Sequence, residues 1–166
     1  MTAAERIQKV DHVAIVVPDM ADAMPLFHDA LGGRFIAGGD NDGTGIRLMH
    51  LMLPGFKLEL MAPLRADSIV SRHLEQRGPG FHHVTFFVDD VLATADALEE
   101  DGFSTTGTDV SSSNWSETFL RPAQTFGALL QFVATTREWS VPARDYALED
   151  VLAGRVVWRD FVACVR

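Results

Sequence analysis

One order of residue types occurs twice in this chain of 166 residues, and it limits the fold more than any other feature. A β-branched run, "HVAIVVPD" from His12, leads through an acidic turn into an Ala-rich helical stretch; "HVTFFVDD" from His83 does the same. From His12 to Glu59, in "KLELMAP", is 59 − 12 = 47 positions; from His83 to Gln131, in "LLQFVAT", is 131 − 83 = 48. Two stretches with the same order, each with a His on its first strand and a Glu or Gln on its last at nearly equal separation, mark a tandem duplication.

Within the first copy, residues 10–17 and 46–53 have strand composition, as do 34–37 and 56–61. Residues 20–31 have helical spacing, with Asp19 as N-cap and Gly32-Gly33 as stop. Pro25 interrupts that helix. "GGDNDGTG" (38–45) is a loop by its turn residues, and Pro54-Gly55 turns the last two strands. In the second copy the strands are 81–88, 103–106, 114–120 and 128–134, with a helix over 91–100. A short helix over 67–76 joins the copies. The chain is therefore expected to be α+β: a βαβββ module at 8–62, a helical linker at 63–79, a second βαβββ module at 80–135 and a C-terminal extension at 136–166. The extension carries an apolar series with Trp158 and Phe161, suited to packing outside the modules or to an interface between copies.

Strand parity sorts the polar residues. His12 shares a face with Ala14 and Val16, and His83 with Thr85 and Phe87. His82 takes the opposite face and is expected to be a structural residue, turned toward the helix layer or a module boundary. Glu59 lies with Lys57 and Met61, and Gln131 with Leu129 and Val133. Taken singly, each is most simply a satisfied core or rim residue. As a quartet at equivalent positions of two pseudo-symmetric units, His12, Glu59, His83 and Gln131 would converge on one point. Imidazole and carboxylate groups that converge are what a divalent metal requires.

Composition narrows the partners. A formal net charge of −9 excludes a basic stripe for nucleic acid. One cysteine, Cys164, leaves no internal disulfide and suits a reducing cytoplasm. The start has no signal-peptide core, and no apolar run approaches the ~20 residues of a membrane helix. The expected partner is a small molecule, with a second copy of the chain in a homodimer.

The stretches "DHVAIVVPDM", "MAPLRADSIVSRHLEQRGPGFHHVTFFVDD" and "FLRPAQTFGALLQFV" resemble the vicinal oxygen chelate superfamily, and within it the methylmalonyl-CoA epimerases. The likeness spans about residues 8–135. It implies that the two modules curl into one eight-stranded metal-binding cup, with the family's ligands falling on His12, Glu59, His83 and Gln131. The ion would be one divalent Co, Mn, Ni, Zn or Fe. The sequence departs from the family in two places: Gln131 stands where a Glu is usual, and the "EEQG"-like stretch with a catalytic glutamate reads "DNDGTG", leaving Asp42 as the nearest carboxylate.

The resemblance implies a metal-dependent isomerase or lyase that stabilises an enolate or enediolate of a small carbonyl or acyl-CoA substrate. Candidates for the proton-moving group are Glu117, His50 and Asp42, with Glu59 if it leaves the metal. Arg47, Arg65, Arg72 and Arg121 are available to hold an anion. Two other readings stand beside it. His12, His83 and Glu59 also form the two-His-one-carboxylate set of a non-haem Fe(II) dioxygenase, and a binding protein of the bleomycin-resistance kind is the third.

Overall fold

The computed structural model describes residues 1–166. The element order is α1 (Ala3–Arg6), β1 (Ile7–Val16), α2 (Met20–Met24), β2 (Arg34–Asn41), β3 (Ile46–Leu53), β4 (Phe56–Pro63), α3 (Ile69–Arg77), β5 (Gly80–Val88), α4 (Val91–Glu100), β6 (Thr105–Asp109), β7 (Ser116–Leu120), β8 (Leu129–Ala134), α5 (Leu148–Leu152), β9 (Val156–Arg159) and β10 (Val162–Val165). The βαβββ order is present twice, so the α+β class and its repeat stand. Asp19 and Asp90 cap α2 and α4, accepting from Ala21 N and Ala93 N. At Pro25 the helical chain widens into a π-helical turn, Pro25–Ala30, because proline offers no N–H to the α-helical ladder.

The chain forms two compact units. The first comprises Met1–Val13 and His82–Glu138. In it β5 runs parallel to β8, which pairs antiparallel with β7, and β7 with β6. One sheet face carries Val88, Leu120 and Phe132 against Val91, Ala97 and Leu98 of α4, with Ala3 of α1 closing the cluster. The alternating positions of the same strands, His83, Thr85, Gln131 and Glu117, are left for the opposite face.

The second unit comprises Ala14–Phe81 and Trp139–Arg166. Its strands β2, β3 and β4 form an antiparallel meander. Met49, Leu51, Leu58 and Leu60 pack on Met20, Ala23 and Met24 of α2, and Val151 and Val156 of the extension join the same core. Leu51 is fully buried. Leu51→Ala is expected to destabilise the protein by about 2–5 kcal/mol, the usual cost of a cavity left by a buried leucine; urea unfolding followed by circular dichroism measures it.

Two expectations are corrected here. Residues 38–45 are not wholly loop: β2 continues through Asn41, and only the residues after it turn. Gly38 and Gly39 sit in a strand because the extension lies too close for a side chain. A Cβ on Gly38 would meet Val151 Cγ1 at 3.0 Å and Leu48 O at 2.8 Å, and one on Gly39 would meet Val156 C at 3.2 Å. The third strand of the second copy also lies later than expected, at Thr105–Asp109 rather than 103–106. The extension adds two strands: β9 and β10 form a hairpin, and β9 pairs parallel to β2 at Asp40↔Val157.

Candidate metal centre

In the first unit, β1 and β5 each deliver one buried histidine, His12 and His83. Their Nε2 atoms face each other at 3.3 Å. Two nitrogens each ~2.1 Å from one ion, at octahedral to tetrahedral angles, stand roughly 3.0–3.4 Å apart. The pair therefore has the spacing of two ligands to one cation. Both rings turn their Nδ1 atoms away from that point. His12 Nδ1 meets Asp11 Oδ2 at 2.7 Å, and His83 Nδ1 meets His82 Nδ1 at 2.8 Å. His82 thus does not simply turn away. Its Cβ lies on the other face by parity, but the imidazole is long enough to reach round to its neighbour.

A polar chain continues from this pair. Thr85 Oγ1, fully buried, lies 2.9 Å from His12 Nε2 and donates to Gln131 Oε1 at 2.5 Å. Thr85 and Gln131 are direct partners in the parallel β5–β8 register, which is why they meet. Gln131 Nε2 donates to Glu117 Oε2 at 2.7 Å, and Trp115 Nε1 donates to the same oxygen at 2.8 Å. A buried amide thereby has both ends satisfied, which removes the cost of placing it among Leu130, Phe132 and Val133. Sequence reasoning missed Thr85, although it lies two residues beyond His83 on the same face.

In the second unit, Glu59 and His50 are opposite residues of β4 and β3. Both are buried, and His50 Nε2 lies 2.7 Å from Glu59 Oε2. Lys57, two residues before Glu59 on the same face, is also buried and donates to Trp139 O at 3.2 Å. Its ammonium stands 5.9 Å from the Trp139 ring centroid, within the range of a cation–π contact. Trp139 stacks on Trp158 at 6.1 Å, and Trp158 lies 6.0 Å from His50. The extension therefore walls this face with two indoles, a feature that composition alone did not reveal.

Residues 11–119 match the sequence profile of the Glyoxalase/Bleomycin resistance protein/Dioxygenase superfamily. The chain belongs to that superfamily. Among similar proteins, the ethylmalonyl-CoA/methylmalonyl-CoA epimerase of Cereibacter sphaeroides is 36% identical over 97 residues, covering 58% of this chain and 72% of the relative. The crystal structure of methylmalonyl-CoA epimerase from Mycobacterium tuberculosis matches with a TM-score of 0.72 at 30% identity, covering 82% of this chain and 94% of that one. A variant of Streptomyces coelicolor methylmalonyl-CoA epimerase in complex with 2-nitronate-propionyl-CoA matches with a TM-score of 0.69 at 26% identity, over 79% and 99%. Mouse mitochondrial methylmalonyl-CoA epimerase is 29% identical, and the match spans about half of its length, 54%.

Other residues singled out in this superfamily member are engaged in local bonding. Asp42 takes two bonds from Arg166, at 3.0 and 2.8 Å, and those bonds hold its exposed carboxyl below the ordinary aspartate range. Arg47 grips Asp40 through Nε at 2.6 Å and Nη2 at 3.1 Å, and bonds Leu152 O at 2.8 Å, fastening α5 to β2 and β3. Arg65 bonds Asp67 and the carbonyls of Asp42 and Gly43. Arg72 reaches Asp67 O, and Arg121 reaches Thr106 Oγ1. No helix is long and apolar enough to cross a membrane.

Proposed function

We propose that the chain is a metal-dependent epimerase acting on an acyl-CoA thioester with an acidic α C–H, of the methylmalonyl-CoA or ethylmalonyl-CoA type. The observation that carries the reading is the His12 and His83 Nε2 pair, beside a Gln131–Glu117 pair, in a chain whose similar proteins are epimerases. His12 and His83 would hold one divalent cation through their Nε2 atoms, and Gln131 would turn its amide oxygen to the same ion. When bound, the cation supplies Lewis-acid stabilisation of the charge that develops on the thioester oxygen.

The chain's own residues do the rest. Glu117 takes the α proton: the C–H bond breaks, a carboxyl O–H forms, and the electron pair passes toward the thioester oxygen. Trp115 and Gln131 hold the carboxylate by two N–H donors on one oxygen, which fixes its direction. Inversion needs a proton delivered to the opposite face of the carbon. The Glu59–His50 pair of the second unit is a second buried acid–base pair. Trp139 and Trp158 exclude water from the His50 side.

The test is solvent exchange. Metal-loaded protein incubated with methylmalonyl-CoA or ethylmalonyl-CoA in deuterium oxide is expected to introduce deuterium at the α carbon, followed by proton NMR. Absence of exchange on either compound by protein that has bound its ion contradicts the substrate reading.

A further inference from the structure

The residues just before the two histidines occupy equivalent positions of the repeat, and both contact the following imidazole at the same atom. Asp11 Oδ2 lies 2.7 Å from His12 Nδ1, and His82 Nδ1 lies 2.8 Å from His83 Nδ1. We propose that Asp11 and His82 are a matched pair of positioning residues that hold His12 and His83 as Nδ1–H tautomers, so that both rings present an Nε2 lone pair to the same cation. The inference rests on the metal-binding reading above.

A neutral imidazole has one N–H and one lone pair, and its hydrogen-bond partner decides which nitrogen carries which. A carboxylate at Asp11 accepts from Nδ1, which favours the His12 proton there, and Nε2 exchanges its contact with Thr85 Oγ1 for the cation when one binds. His82 Nδ1 and His83 Nδ1 meet at 2.8 Å, so one donates and the other accepts. Once His83 gives Nε2 to a cation, its Nδ1 carries the proton and His82 accepts, keeping its own proton on Nε2. The two arms are unequal: a carboxylate acceptor bonds an imidazole N–H more strongly than a neutral imidazole does, and the Asp11 contact is the shorter, 2.7 Å against 2.8 Å. Outer partners of this kind orient a ligating histidine and raise its basicity, and losing one costs roughly 10–100-fold in metal affinity.

The test compares side chains that place a polar atom at different reach. Asparagine sets its amide oxygen near the place of histidine Nδ1, whereas glutamine sets its amide near the place of Nε2. Cobalt(II) affinity is measured by competition with a chelator, together with the visible absorption of the bound ion, on the full chain. His82→Gln is expected to weaken cobalt binding by roughly 10–100-fold and to shift the visible band, while His82→Asn stays within roughly threefold of wild type. Asp11→Ala is expected to weaken binding more than His82→Gln does. Equal affinities for His82→Asn and His82→Gln, or wild-type affinity in Asp11→Ala, overturn the proposal. Both His82 variants are polar and of similar size, and the thermal melt of each registers a folding defect separately from affinity. A wild-type protein that binds no cobalt sinks the metal reading itself, an outcome distinct from wild-type binding that is indifferent to residue 82.

Discussion

Alanine at His83 is expected to remove both ion binding and catalysis while leaving the chain folded. The imidazole contributes one of two Nε2 atoms set 3.3 Å apart, and alanine offers no ligand atom in its place. A bound cation contributes several kcal/mol to the transition state, and each 1.36 kcal/mol is tenfold in rate. Exchange activity should therefore fall by roughly 10³-fold or more. His83 lies outside the apolar cluster of its unit, where Val88, Leu98, Leu120 and Phe132 pack. The variant should therefore keep a cooperative melt. Metal analysis of purified His83→Ala, set beside kcat/KM for α-proton exchange, measures both effects. Full activity in protein shown to be metal-free would remove the cation from the mechanism.

Glu117→Gln should separate chemistry from binding. Its carboxylate oxygen accepts from Gln131 and Trp115, so the site chain ends on it. General acid–base catalysis contributes about 10²–10⁴-fold, and kcat is expected to drop by that factor with KM little changed. Metal affinity should stay within roughly threefold, because the amide that replaces the carboxylate still offers an oxygen to Gln131 and Trp115 and so keeps Gln131 in place. A variant that retains wild-type kcat moves the proton-transfer role to the Glu59–His50 pair. The pairing also bears on the glutamine that stands where relatives are expected to carry a glutamate. A carboxylate there would face Glu117 at the present 2.7 Å contact, and two adjacent carboxylates cannot both ionise readily. An amide at Gln131 avoids that repulsion and instead donates to Glu117.

Much of this was legible in the sequence because period-two parity is strict in strands. Parity alone puts His83 with Thr85 on one strand face, Gln131 with Leu129 and Val133 on another, and Glu59 with Lys57 on a third. Partners across strands were not legible. Thr85 meets Gln131 only because β5 and β8 pair in parallel, and no residue in either strand announces that register. The contact of His82 with His83 was not legible for another reason: parity fixes where Cβ points, not how far a long ring reaches back. "GGDNDGTG" read as a loop because glycine is ambiguous between a turn and a close approach. Here Val151 and Val156 of the extension supply the close approach. The extension itself gave an apolar series but no partner. Its pairing with β2, and the indoles of Trp139 and Trp158 beside Lys57 and His50, depend on contacts far apart in the chain.

The proposed ion site on His12 and His83 is tested by equilibrium titration of chelator-stripped protein with cobalt(II), following visible absorption, against a His12→Ala/His83→Ala double variant. One ion per wild-type chain and none in the double variant is the expected result. Wild-type protein that takes up no cobalt, and none of manganese, nickel, zinc or iron(II) by competition, would contradict it.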